Sequence, residues 1–289
     1  MKMAEGPGGL SFIDVDTKRC RARLTSHGAQ LCDWTPTGQS SPVVFLSPKA
    51  IFARDKAIRG GVPVCFPWFG PHPTDPSKPQ HGFARTRTWE VESTVQDSQG
   101  DACVVFRLVS DPTTRALWDA DFLAELTVTL GATLEMTFEV ENTSKEAFVY
   151  EAALHAYLAI GDIAKVSVHG LEGTRFLDKT DGQREKLSGD APLTFDGEVD
   201  RTFIDTTASC TVHDPVLKRQ IRIDKIASGA TVVWNPGPAK GLAMADLGDA
   251  WTRFVCVETA NCGPAAVRLP PGGRHAMTSR ITASPQEHC

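Results

Sequence analysis

The chain has 289 residues, a formal charge of -5, 41% hydrophobic and 22% charged side chains. That much apolar material can bury a core, which excludes a disordered chain, and a mildly acidic balance without a basic stripe excludes a nucleic-acid binder. No apolar run approaches the ~18 residues of a membrane span, and the opening MKMAEGPGGLSF lacks the apolar centre of a secretory leader.

The eight cysteines, Cys20, Cys32, Cys65, Cys103, Cys210, Cys256, Cys262 and Cys289, are scattered and form no CxxC pair. This spacing argues against a zinc site and against a disulfide framework in a chain of this size. Reduced thiols in a cytoplasmic protein are the expectation, and the terminal EHC does not match a peroxisomal SKL address.

In chain order, the first informative stretch is IRGGVPVCFPWFGP, residues 58–71. Gly60-Gly61 permits unusual backbone angles beside Arg59, and Phe66, Trp68 and Phe69 can form an aromatic wall. The longest irregular segment is expected over about 66–81, and loops of that length in a compact domain are often functional. It runs into PQHGFARTRTW, residues 79–89, where Gln80, His81, Arg85 and Arg87 surround Gly82. That stretch reads either as a solvated loop or as a holder of an anion. Trp89 is expected to pack inward where the next strand begins.

DPTTRALWDADF, residues 111–122, offers a short helix opened at Asp111-Pro112. Strict alternation then takes over. Leu126, Val128 and Leu130 share one face of ELTVTL, and Leu134, Met136, Phe138 and Val140 share one face of TLEMTFEVEN. Gly131-Ala132 between them reads as a hairpin turn. CTVHDPVLKRQIRI, residues 210–223, reads as a second hairpin turning at Asp214-Pro215. KVSVHGL, TVVWNPG, RFVCVETAN and RHAMTSRITAS are further strand candidates. Many strands, few helices and no internal repeat or linker predict one domain over 1–289, an all-β antiparallel sandwich or barrel.

Two strands carry candidate chemistry. Read as one strand, AFVYEAALHAYLAI (147–160) turns Phe148, Tyr150, Ala152, Leu154, Ala156, Leu158 and Ile160 to the core. His155 then points the other way among small residues, either as a structural histidine or as an acid suited to neutral pH. In TRFVCVETANC (252–262), Glu258 shares its face with Phe254 and Cys256. There it is either a solvated carboxylate or one whose burial raises its pKa towards that of a useful base. Arg59 and Arg85 are either surface charges or forks for a phosphate. Asp200 in GEVDRTFID either offsets Arg201 or accepts hydrogen bonds from ligand hydroxyls.

With those residues assembled, the sequence resembles the hexose-6-phosphate mutarotases, or glucose-6-phosphate 1-epimerases, of the aldose 1-epimerase superfamily. IRGGVPVCFPWFG, PQHGFAR, LHAYL, GEVDR, VWNP and CVETAN carry the resemblance, in that order. It implies a galactose-mutarotase-like β-sandwich with few short helices and a concave sugar site. It implies His155 as acid/base catalyst, Glu258 as its partner base, and Arg59, Gln80, Arg85 and Asp200 as substrate contacts. His81 would line the site, while Trp234 and Asn235 would support it. No metal or organic cofactor is expected, and the partner is a small-molecule hexose 6-phosphate met by a monomer. Two rival readings stay open: a 1-epimerase for free aldoses, and a non-catalytic sugar-phosphate binder on the same fold. A cupin-like metal enzyme is disfavoured because clustered histidine ligands are missing.

Overall fold

Alternating burial along the strands builds two facing eight-stranded antiparallel sheets. The computed structural model describes residues 1–286. One sheet runs in the order Ser167–His169, Cys210–Asp214, Arg219–Ile226, Arg274–Pro285, Thr133–Asn142, Phe122–Leu130, Ala102–Val109 and Glu90–Gln96. The other runs Arg184–Leu187, Arg175–Asp178, Val199–Phe203, Ala230–Asn235, Phe254–Asn261, Ala152–Leu154 and Val64–Cys65, with Tyr157–Ala159 also paired to Phe254–Asn261. A four-stranded N-terminal sheet, Lys2–Glu5, Ser11–Asp16, Cys20–Thr25 and Gln30–Pro36, flanks them. The two-stranded pair Phe148–Tyr150 with Val267–Leu269 completes the set.

Both expected hairpins form. Leu130 pairs with Leu134 across Gly131-Ala132, and Asp214 pairs with Arg219 across the second turn. Leu126, Val128, Leu130, Leu134, Met136, Phe138 and Val140 all enter the main core, as the period of two requires. The short helix Pro112–Leu117 is opened by Asp111, whose carboxylate accepts from the Thr113 and Thr114 amides. Trp89 is buried, and its indole N–H donates to the Ala84 carbonyl at 3.0 Å.

Two expectations need correction. Residues 147–160 form three short strands rather than one, Phe148–Tyr150, Ala152–Leu154 and Tyr157–Ala159. The chain turns at His155-Ala156, where the Ala156 amide bonds back to the Leu154 carbonyl while His155 and Tyr157 donate to Pro63 and Gly61. The inward face survives the breaks, because all seven residues assigned to it lie in the main core. The longest stretch without a named strand is 37–63, ahead of 66–81; it is tied down by isolated bridges such as Val44 to Leu158 and Leu46 to Gly60. A second helix, Gly237–Ala243, joins the one short helix expected from the sequence. The seven described cysteines are free thiols, and Glu287, His288 and Cys289, on which the terminal-address reading rests, lie outside the described residues. Among the described residues no helix is long and apolar enough to cross a membrane.

Phe66 anchors the segment that overlies the second sheet. Its ring meets Phe83, Trp118, Phe122, Phe138 and Tyr150 at centroid separations from 5.2 to 6.3 Å. Its carbonyl accepts from the Phe83 and Ala84 amides, and its own amide donates to the His81 carbonyl. Gly82 lies at φ +72° directly against that carbonyl, so any side chain there would collide with it. Phe66→Ala is expected to lose about 3–5 kcal/mol of stability, the usual range for truncating a fully buried phenylalanine. Chemical denaturation checks this, and a loss below ~1 kcal/mol would show that the ring is not a structural anchor.

Candidate active site

Residues directly opposite one another in antiparallel strands share a face. Asp200 lies opposite Trp234, Trp234 opposite Cys256, and Cys256 opposite Tyr157. Two positions along, Thr202 faces Val232 and Val232 faces Glu258. Strand parity therefore aligns Asp200, Trp234, Tyr157 and Glu258 on the face turned away from Val233, Val255 and Val257, which fill the core. His155 joins them at the turn between its two short strands.

All seven site residues expected from the sequence, Arg59, Gln80, His81, Arg85, His155, Asp200 and Glu258, line one cavity of about 170 Å³. That is below the ~300–1,000 Å³ of drug-sized sites, so the cavity suits one small molecule. Trp234 lines it as well. Asn235 sits behind it, donating to the Trp251 and Phe254 carbonyls and accepting from the Gly237 amide, all at 2.9 Å. Arg87 does not line it; its guanidinium lies 5.9 Å from the Phe83 ring centroid. Sequence reasoning missed Tyr157, Lys179, Lys240 and Met244, which also face the cavity.

The chemical centre is a buried pair. His155 Nε2 lies 3.2 Å from Glu258 Oε1, with the side chains 7% and 1% exposed. The second carboxylate oxygen of Glu258 and Nδ1 of His155 have no protein partner among the described residues. Burial, aided by nearby Asp200 and opposed by Lys179 and Arg85, holds the Glu258 carboxyl well above its ordinary 4.5. Burial, aided by Arg85 and Arg59, holds the His155 imidazole well below its ordinary 6.5. Both shifts favour a pair that carries one proton in total, and such a pair titrates as a unit. The imidazole stacks on Tyr157 at 4.9 Å and meets Trp234 edge-on, which fixes its plane.

Around the pair stand four cations. Arg59 donates from Nε to Asp246 at 3.1 Å and from Nη1 to the Tyr157 hydroxyl at 3.1 Å. Gly60 and Gly61 have φ of +108° and +69°, and a side chain at Gly61 would run into the Leu31 carbonyl, so the pair of glycines brings Arg59 to the rim. Lys179 lies 3.3 Å from Asp200, and Lys240 lies 2.8 Å from Glu198. Arg85 forms no ion pair among the described residues; Nη2 donates to the Gln80 carbonyl at 2.7 Å. Asp200 pairs with Lys179 rather than offsetting Arg201, whose guanidinium lies over the Phe176 ring. His81 accepts from the Gly70 amide at Nδ1, 3.1 Å, which leaves Nε2 as its N–H donor. No group of three or more His, Cys, Asp or Glu side chains suited to a metal occurs among the described residues.

The pair stands on the outward face of one sheet of a sandwich, and that sandwich is shared with solved mutarotase-like proteins. A solved galactose mutarotase-like protein of Lactobacillus casei superposes with a TM-score of 0.74 over 94% of this chain and 100% of its own, at 17% identity, which bears on the fold alone. The family model for aldose 1-epimerase matches residues 12–282, and the chain belongs to that family of isomerases. A relative in Escherichia coli (strain K12) named "putative glucose-6-phosphate 1-epimerase" is 39% identical over 87% of this chain and 83% of its own length. One of the same name in Cenchrus ciliaris is 32% identical over 100% and 89%. The solved structure of a mutarotase-titled protein from Salmonella typhimurium reaches a TM-score of 0.89 at 34% identity, covering 96% of this chain and 91% of that one. The galactose-mutarotase-like sandwich expected from the sequence is the fold this chain adopts.

The protonation of the pair makes a stability prediction. The folded protein retains a proton on Glu258 that the unfolded chain releases above its ordinary 4.5, so this contribution is full below that value and is lost as pH rises through the raised one. His155 acts in the opposite window, its contribution fading only as pH falls below 6.5. Glu258→Gln cannot titrate. The thermal midpoint of the wild type is expected to fall relative to this variant as pH rises from 4.5 through the raised value of Glu258. A difference independent of pH would show that Glu258 ionises as an ordinary carboxylate.

Proposed function

We propose that the protein interconverts the α and β anomers of hexose 6-phosphates, with His155 and Glu258 as the acid–base pair. The observation that carries this reading is the buried 3.2 Å contact between them inside a cavity lined by Arg59, Arg85, Lys179 and Lys240. The name borne by the Escherichia coli and Cenchrus ciliaris relatives points to the same substrate class.

Anomer exchange breaks C1–O5, rotates the aldehyde about C1–C2 and closes the ring on the other face. As substrate binds, the pair's single proton crosses the 3.2 Å contact from Glu258 to His155; the carboxylate of Glu258 then takes the proton from the C1 hydroxyl while the imidazolium of His155 gives one to O5. On reclosure each proton returns along the reverse path. Both oxygens are bonded to C1, so two groups whose reactive atoms lie 3.2 Å apart can serve them together. The single proton of the pair suffices, because the one delivered to O5 is replaced by the one taken from the hydroxyl. Removing the pair's proton, or adding a second, stops the exchange.

The phosphate does not react. Arg85, free of carboxylate partners among the described residues, and Arg59, with its second terminal nitrogen uncommitted, supply charge-assisted hydrogen bonds to it. Holding the far end of the sugar fixes C1 against the pair. A mutarotase for free aldoses needs no such cluster of cations, and a mere binder needs no acid–base pair.

His155→Ala and Glu258→Gln are each expected to lower turnover by ~10²–10⁴-fold while the fold is retained. Exchange NMR between the anomers of glucose 6-phosphate reads this out, and near-normal exchange in either variant removes that residue from the mechanism. Arg59→Ala is expected to weaken binding of the phosphorylated sugar and leave free glucose unaffected. Equal effects on both sugars would contradict its role at the phosphate.

A further inference from the structure

We propose that Lys179 is a specificity-determining residue that works with Asp200 as a paired donor and acceptor for one hydroxyl of the pyranose ring; this rests on the hexose 6-phosphate reading above. Lys179 opens a short turn, Lys179–Asp181, directly after the strand Arg175–Asp178. That strand pairs with Val199–Phe203, so the end of one strand sets Lys179 beside Asp200 on the next. The ammonium lies 3.3 Å from the Asp200 carboxylate and 4.4 Å from the centroid of the Phe69 ring. The carboxylate fixes one side of the ammonium and the aromatic face fixes another. Side-chain exposures of 26% and 21% leave both groups open to the cavity they line.

The arrangement matches what a sugar hydroxyl offers, one proton to give and lone pairs to receive. A hydroxyl seated between the two groups donates to Asp200 and accepts from Lys179. Beyond its 3.3 Å contact with Lys179, Asp200 has no bond to a backbone amide or a hydroxyl among the described residues, so lone pairs remain to accept from a ligand, whereas Asp178 nearby is filled by Thr180 and Lys186. The other charges facing the pair are Glu258 and Arg85 across the cavity and Lys240 with Glu198 beside it. A sugar lacking that hydroxyl forfeits both hydrogen bonds and leaves the exposed edge of the ion pair covered but without a polar partner. Sites built to hydrogen-bond a hydroxyl reject analogues that lack it more strongly than apolar pockets discriminate by size.

Lys179 also lines the larger neighbouring cleft, of about 820 Å³, which shares Phe69, Gln80, His81 and Asp200 with the catalytic cavity. It therefore stands at the divide between the two spaces.

The test is anomer exchange of glucose 6-phosphate and its 2-, 3- and 4-deoxy derivatives by the wild type, Lys179→Met and Lys179→Arg. The wild type is expected to prefer the parent sugar to one of the three deoxy sugars by roughly tenfold to a hundredfold in kcat/KM, the size of a charge-assisted hydrogen bond. In Lys179→Met that one preference collapses towards unity while the other two persist, and Lys179→Arg restores part of it. Because the readout is a ratio within each variant, a partial loss of folded protein does not imitate it. All three preferences unchanged in Lys179→Met, or no preference in the wild type, overturns the proposal. A wild type that exchanges free glucose but not its 6-phosphate defeats the phosphate reading instead, and the same comparison made with the free deoxy sugars still decides the role of Lys179.

Discussion

Glu258 sits in a strand that is buried along its whole length, and its only side-chain partner among the described residues is an imidazole that is itself buried. Leaving either group alone there would strand an uncompensated polar group, which typically costs several kcal/mol. The protein holds the pair by packing on both sides. Val255 and Val257 bind the strand to the core, while Tyr157, Trp234, Phe254 and Cys256 pack as a smaller cluster under the cavity floor. The same burial that makes the pair costly leaves it holding one proton, which is the protonation state an acid–base exchange at C1 requires. Stability is given up at the position where we propose the chemistry.

The cations divide the work according to their own partners. Arg59, Lys179 and Lys240 each face a carboxylate, Asp246, Asp200 and Glu198 respectively. Those pairs set the positions of the side chains and limit repulsion among four positive charges in a small space. Arg85 has no such neighbour among the described residues, and its charge also pushes down the affinity of both His155 and His81 for protons. A dianionic ester entering the cavity would meet a wall already ordered, so little side-chain entropy remains to be lost on binding.

The strands that position the site were legible because period-two alternation survives in them. The inward set from Phe148 to Ile160 and the outward set of Phe254, Cys256 and Glu258 could be separated by parity alone, although the first run is broken at His155-Ala156. Parity also set His155 opposite the core face and Glu258 on one face with Phe254 and Cys256, but only the register of Tyr157 and Trp234 on Cys256 shows that these faces are the same one. Lys179 and Lys240 escaped notice for a local reason. Each sits in a short turn or helix whose sequence, LDKTDG or GPAKGLA, has the composition of a solvated loop. Asp246 was invisible because its meaning lies in a contact with Arg59 that spans 187 residues of chain. The N-terminal sheet is weakly signalled, because adjacent buried residues, Phe12 with Ile13 and Leu24 with Thr25, break the alternation of SFIDVD and CRARLT.

The central claim is that one buried acid–base pair performs anomer exchange on a sugar anchored by its phosphate. The most direct measurement is the catalysed exchange of glucose 6-phosphate by the wild type, set beside free glucose and galactose under the same conditions. Two charge-assisted contacts predict a kcat/KM for the phosphate ester at least ~10²-fold above either free sugar. Equal values for all three sugars, or no acceleration of any, would contradict the account.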